Sequence, residues 1–252
     1  MQNFDSLYPI TKFDPFMKAR AKRWLIDDLW QVGKINGLAG FEKSGKSRLV
    51  SWLLVGIAKG EVLGLQATEG LPKTLYLAAE ETLEDDLQKR LVTYAALQGV
   101  PAGLLDIHFM PAMGMRLDLK QQRDWLEEKL VDEDFGLLLI DPLIRVHGAK
   151  ESDNSEMTPM LTAMRRWATK LGVTVVLVHH TAKVSDDTDM DRMANWFRGA
   201  SDIAAVLDTG QYVNRVGKDS IRLYRAGRMP PLPILSIHDL GDDRGFVRQI
   251  NK

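Results

Sequence analysis

A chain of 252 residues, with 45% hydrophobic and 27% charged side chains, is long enough to form one full-sized core. Its formal net charge of −1 excludes a polycation, so any nucleic-acid contact must come from local basic patches or from an oligomer. The chain has no cysteine, which excludes disulfides and thiolate metal sites and suits a reducing cytoplasm. Its first residues lack the basic-then-apolar layout of a signal peptide. The longest apolar runs, Leu49–Ala58 and Leu137–Ile144, are too short to span a bilayer. A soluble cytoplasmic protein with no membrane partner is expected.

Residues 1–33 read as a lead-in segment and residues 34–252 as the main domain. Pro9 and Pro15 punctuate the lead-in, and the alternation of basic and apolar residues from Lys18 to Trp30 predicts a short helix. Lys34–Ala39 reads as a strand and Arg48–Lys59 as a helix whose apolar composition suits burial. Strand and helix signals then alternate: a strand at Lys73–Ala79, a helix at Leu83–Gln98 with Glu84, Asp85 and Asp86 in its first turn, a strand at Leu105–Met110 and a helix at Lys120–Val131. Gly136–Ile140 is an apolar run closed by Asp141, Met157–Leu171 reads as a helix, and Val173–Val178 as a buried strand. Strands apolar on both faces and separated by helices predict an α/β fold with a mainly parallel central sheet. From Ala204 onward short strand-like pieces (204–208, 211–216, 220–225, 233–238 and 245–250) predict an antiparallel extension. The acidic stretch Val184–Arg192 reads as a mobile loop.

Between the first strand and its helix, Gly40-Phe41-Glu42-Lys43-Ser44-Gly45-Lys46-Ser47 fits the phosphate-binding pattern G-x-x-x-x-G-K-S/T at every fixed position. Two glycines let the loop backbone turn its N–H groups inward, and the helix N-terminus adds partial positive charge there. Lys46 can reach the β- and γ-phosphates of a nucleoside triphosphate, and the Ser47 hydroxyl can ligate Mg²⁺. The candidate nucleotide contacts are Gly40, Glu42, Lys43, Ser44, Gly45, Lys46 and Ser47, with Arg48 opening the helix.

Hydrolysis also needs an acid that orients the metal and a group that positions water. Asp141, closing a buried strand, is the candidate second metal ligand beside Ser47, because ligands sit outside the carboxyl ends of parallel strands. Glu80 and Glu81 follow another strand and are candidates for polarising the attacking water. His179 and His180 follow a third. Neighbouring strand residues point to opposite faces, so the pair makes a poor metal site and suits hydrogen bonding near the γ-phosphate. Arg198, set beside Gly199 after Trp196 and Phe197, has the character of a finger offered to a neighbouring subunit's nucleotide. Arg215, Lys218, Arg222, Arg225 and Arg228 form a basic stretch that reads first as a solvated face.

In this order the segments resemble the RecA-like ATPases of the plasmid RepA type, the hexameric replicative helicases grouped as RepA-like AAA proteins. NGLAGFEKSGKS (36–47) is similar to the family's phosphate loop and LYLAAEE (75–81) to its strand ending in the catalytic glutamate. LLLIDPLIRVHG (137–148) is similar to the second nucleotide motif with its trailing arginine, LVHHTAK (177–183) to the paired-histidine motif, and FRGASDI (197–203) to the arginine-glycine segment. The resemblance implies ATP and Mg²⁺ as cofactors, Lys46 and Ser47 on phosphate and metal, Asp141 on the metal, and Glu80 as the water activator. It further implies His179 or His180 as a γ-phosphate sensor and Arg198 acting across a subunit interface, with Arg225 or Arg228 as a second trans-acting cation. The expected protein is a ring-forming helicase or translocase on single-stranded DNA, with Ile144–Thr158 (Arg145, His147, Lys150) and Val184–Asn195 as candidate DNA loops. A recombinase-like filament and a regulatory switch ATPase remain the alternatives.

Overall fold

The structure is a computed structural model and describes residues 12, 21–67, 70–82, 86–181, 193–197, 201–227, 232–241 and 243–249. The α/β architecture expected from the alternating signals is present. A nine-stranded sheet runs in the order β13-β12-β11-β10-β3-β9-β8-β6-β7. Its parallel part comprises β3 (Ile35–Gly40), β6 (Thr74–Ala78), β7 (Ile107–Pro111), β8 (Leu137–Asp141), β9 (Thr174–His180) and β10 (Thr209–Arg215). The antiparallel extension adds β11 (Ser220–Gly227), β12 (Leu232–Asp239) and β13 (Phe246–Arg248).

Strand periodicity of two splits each central strand between two apolar layers. In β8, Leu138 and Ile140 face a layer built with α3 (Lys120–Asp132) and α4 (Asn154–Lys170), which includes Leu126, Met160 and Trp167. Leu137 and Leu139 face the opposite layer, where they meet α1 (Lys46–Lys59) and α2 (Gln88–Gln98) through Leu53, Leu54 and Tyr94. Helix α1 is buried without a break from Leu49 to Ile57, as its composition requires. Because both faces of the sheet are covered, its strand ends are the places where polar chemistry can gather. Among the described residues no helix is long and apolar enough to cross a membrane.

Two expectations are corrected. Within the Lys18–Trp30 stretch predicted as a helix, residues 18–20 lie outside the described residues and the rest contains no helix but a hairpin of β1 (Trp24–Ile26) and β2 (Trp30–Gln31), paired antiparallel. Asp28 takes a positive φ of 59°, which an aspartate tolerates in a turn, and the flanking Trp and Ile residues favour extended backbone. Leu25, Ile26, Leu29 and Trp30 are fully buried in the layer that holds α1, and the Trp30 indole N–H donates to the Gln211 side chain at 3.1 Å. Residues 204–208 are not a strand; Ser201–Val206 is a short helix, preceded by another at Met193–Trp196. Ile203 and Leu207, four apart, bury one face of that turn of chain, and the strand begins only at Thr209. The helix predicted from Leu83 is regular from Gln88; Leu83, Glu84 and Asp85 lie outside the described residues. A small hairpin, β4 (Glu61–Val62) with β5 (Leu65–Gln66), has no counterpart in the sequence reading. Val184–Arg192 lies outside the described residues.

Candidate active site

Strands β3, β9, β8 and β6 are consecutive neighbours and parallel, so their carboxyl ends form one edge. Along that edge they deliver the phosphate loop, the two histidines, Asp141 and the two glutamates in that spatial order. A cleft of about 270 Å³ lies there, lined by Lys43, Gly45, Lys46, Ser47, Arg48, Glu80, Glu81, Asp141, His180 and Arg215. This is the side of a parallel sheet on which ligands are expected.

The loop curls for steric reasons. A Cβ on Gly40 would lie 2.8 Å from the Val213 carbonyl oxygen and 3.0 Å from Ser44 Oγ. Gly45 takes φ 90° immediately before α1, a conformation that disfavours any side chain. The Lys46 ammonium donates to the carbonyls of Gly40 at 3.0 Å and Phe41 at 2.7 Å, and lies 3.3 Å from His180 Nδ1. Glu42 and Lys43 are exposed at the tip, whereas Ser44 is buried. Burial pushes the Lys46 ammonium down to about 8, against the attraction of Asp141, Glu42 and Glu80. The lysine is therefore charged in the free protein below pH 8 and loses its proton above it. Triphosphate favours the charged form, so ATP affinity is expected to fall as pH rises above 8, and binding at pH 9 to take up a proton. Calorimetric titration in buffers of different ionisation enthalpy checks both; pH-independent affinity between 7 and 9.5 would contradict them.

Asp141 is buried at the end of β8 and accepts a hydrogen bond from the Tyr76 hydroxyl at 2.9 Å. Burial pushes its carboxyl up to about 6, while hydrogen bonds with Ser47 and Tyr76 pull the other way. A buried carboxyl beside a serine hydroxyl fits a divalent cation, which would compensate the desolvated charge. Among the described residues no cluster of three or more His, Asp or Glu side chains forms a metal cage. Ser47 and Asp141 thus suit Mg²⁺, which binds through one or two protein oxygens and completes its shell with phosphate and water.

The geometry separates the paired residues that the sequence left open. Glu81 is held by Arg90 through two hydrogen bonds, at 3.0 and 2.8 Å. Glu80 is half exposed, 3.8 Å from His180 Nε2, and accepts from Arg145 Nε at 2.7 Å. His180 faces the cleft, and burial together with nearby Lys46 pushes its imidazole below the usual range, towards the neutral form. His179 points to the other side of the sheet, where it is buried, stacks on Phe197 and lies 3.8 Å from Glu151.

Arg48 borders the cleft, but its guanidinium is committed to Asp239 on β12 by bonds of 3.1 and 2.9 Å. Arg215 also donates to Asp239, to the Lys218 carbonyl at 2.6 Å and, more weakly, to the Ser44 carbonyl at 3.4 Å. Burial alone would raise the Asp239 carboxyl, but bonds from Arg215 and Arg48 outweigh it and hold the group below the usual range. The antiparallel extension thereby braces the phosphate loop and the start of α1. Asp239→Asn is expected to cost about 3 kcal/mol, the lower end for breaking a buried ion pair, because both arginines are partly exposed. A urea melt checks this, and an unchanged midpoint would remove the brace.

Tyr76, Arg90, Arg145, Arg215 and Asp239 were not given a role in the site from the sequence; only Arg215 and Arg145 carried a signal, Arg215 as a member of a basic stretch and Arg145 as the arginine trailing the second nucleotide motif and as part of a candidate DNA loop. Arg225 is not brought to this chain's cleft. It sits towards the opposite end of the sheet, where it is buried and donates to the Pro233 carbonyl at 3.2 and 2.6 Å. Arg198 and Arg228 lie outside the described residues.

Fold and site together define a nucleotide-binding domain of the phosphate-loop ATPase class with a RecA-like core. The family model described as an AAA domain matches residues 12–186, and the chain belongs to that family. Among solved structures it is similar to one titled "Crystal structure of the RadB recombinase", with a TM-score of 0.62 and 15% sequence identity. That match covers 86% of this chain and 91% of the other, and at this identity it shows the fold alone. No curated protein matches the sequence.

Proposed function

We propose that this protein is a cytoplasmic Mg²⁺-dependent ATPase that works on single-stranded DNA as a head-to-tail ring, in the manner of a RepA-like replicative helicase. The ATPase reading is carried by one observation: Lys46, Ser47, Asp141, Glu80 and His180 converge from four parallel strand ends on a single open cleft. Lys46 binds and neutralises the β- and γ-phosphates, with the loop N–H groups holding the remaining oxygens. Ser47 and Asp141 hold Mg²⁺, which supplies charge neutralisation at the transferring phosphoryl group. Glu80 orients the attacking water and accepts its proton, and His180, neutral, hydrogen-bonds near the γ-phosphate. Arg198 completes a neighbouring subunit's site, with Arg228 as a second cation there.

The DNA part of the reading is supported by the ordered motifs HHTAK (179–183) and RGAS (198–201), by exposed Arg145 bonded to Glu80 of the cleft, and by exposed Lys150 on the same segment. Similarity to the RadB recombinase structure supports a second reading, a filament coating single strands; rings and filaments differ in whether a head-to-tail rotation closes. Strand displacement from a forked duplex, together with images of the ATP-bound protein, decides between them. The ring reading expects ATP-dependent displacement and closed rings. Filaments on single strands with no displacement would transfer the assignment to the recombinase type.

A further inference from the structure

Two glutamates end β6, and the fold treats them differently. Glu81 and Arg90 form a two-bond pair with side chains 27% and 13% exposed. The Glu80–Arg145 pair is a single 2.7 Å bond between side chains 41% and 62% exposed. The first pair is sheltered from water and salt; the second is open to both. We infer that Arg145 is a positioning residue that holds Glu80 away from the attacking water until a nucleic-acid phosphate takes the guanidinium. This inference rests on the DNA-dependent ATPase reading and specifies how DNA reaches that site.

The segment carrying Arg145 is built for such an exchange. Arg145 ends a three-residue turn, Leu143–Arg145, directly after Asp141 and Pro142. Leu143 and Val146 are fully buried, so the backbone on both sides is anchored while Ile144 and Arg145 point outward. Beyond them the side chain of His147 is fully buried, 3.6 Å from Glu151, and Glu151 is 3.8 Å from His179 at the end of β9. Lys150, exposed on the same stretch, adds a second cation to the outer surface. The segment thus has a fixed base touching two site strands and an exposed cationic tip.

A water activator must present a carboxylate lone pair to the water within hydrogen-bond reach. In this arrangement Glu80 Oε1 is occupied by Arg145 Nε, and Oε2 lies towards His180. A phosphodiester competes directly for the guanidinium, whose planar fork suits phosphate as well as carboxylate. Transfer of Arg145 to the DNA backbone frees Oε1 without moving β6 or the metal ligands.

The test compares wild type with Arg145→Ala and Arg145→Lys in steady-state ATP hydrolysis, with and without single-stranded DNA, at two salt concentrations. An exposed pair biases an equilibrium up to about fivefold, so Arg145→Ala is expected to raise DNA-free kcat by about three- to fivefold. KM for ATP stays unchanged, DNA adds no further stimulation, and Arg145→Lys keeps part of the DNA response. Salt weakens the exposed pair, so DNA-free turnover rises with salt in wild type and not in Arg145→Ala. In a Glu80→Gln background the arginine substitution has no effect on turnover. An unchanged or lower DNA-free rate in Arg145→Ala, with DNA stimulation intact, overturns the latch and leaves the DNA-dependent ATPase standing. A raised rate in Arg145→Ala with a wild type indifferent to DNA overturns nucleic acid as the releasing ligand, and the DNA reading with it.

Discussion

Replacing Lys46 by alanine is expected to lower ATP turnover by about a hundredfold to a thousandfold, the range for losing one preorganised contact to developing charge. Lys43 sits exposed at the loop tip, and the arginines around the cleft are already engaged. Arg48 and Arg215 both spend their guanidinium groups on Asp239, and Arg145 faces Glu80. The substitution also removes one donor from the carbonyls of Gly40 and Phe41, to which the ammonium donates at 3.0 and 2.7 Å. Each oxygen keeps a backbone partner, the Thr181 N–H on Gly40 and the Ser44 N–H on Phe41, both at 3.2 Å, so the melting temperature should change little. Steady-state hydrolysis and a thermal melt on the same preparation separate the two effects. Turnover within threefold of wild type would show that the loop does not bind the reacting phosphates.

Glu80→Gln is expected to abolish hydrolysis while preserving nucleotide binding. The amide has nearly the shape of the carboxylate and can still accept from Arg145, but it cannot take a proton from water. Removing such a group costs about a hundredfold to ten-thousandfold in turnover. Lys46, Ser47 and Asp141 are untouched, so the variant should accumulate in its ATP-bound form, which retention of labelled ATP after rapid desalting would reveal. Glu81→Gln is the informative companion. It weakens the pair with Arg90 and shifts stability more than chemistry. If Glu81→Gln lost hydrolysis and Glu80→Gln kept it, the two roles would be exchanged.

The phosphate loop was legible in the sequence because its chemistry is local: glycines where the backbone must turn, then lysine and serine at the helix start. The strand ends were legible too, as apolar runs stopped by Asp141, by Glu80 and by the two histidines. Period-two alternation even anticipated that His179 and His180 would face opposite sides. Their adjacency was not legible, because the sheet order β3-β9-β8-β6 skips along the chain. Nor was the division between Glu80 and Glu81, which depends on Arg90 one helix later and Arg145 on another strand's loop. The brace at Asp239 joins residues 191 and 24 positions apart, and no spacing rule finds it. The hairpin at Trp24–Gln31 was misread because alternating basic and apolar residues satisfy a short amphipathic helix as well as an extended chain. Asp27-Asp28 was the signal for the turn. The error at 204–208 arose from Ala204-Ala205-Val206, apolar residues too few to establish a period.

The most direct test of the whole account is the Mg²⁺-ATPase rate per subunit measured against protein concentration, with and without single-stranded DNA. The account predicts a rate that rises with concentration as subunits complete one another's sites, and that rises again when DNA is added. A rate flat in concentration and indifferent to DNA would contradict it, leaving a nucleotide switch that acts through another protein.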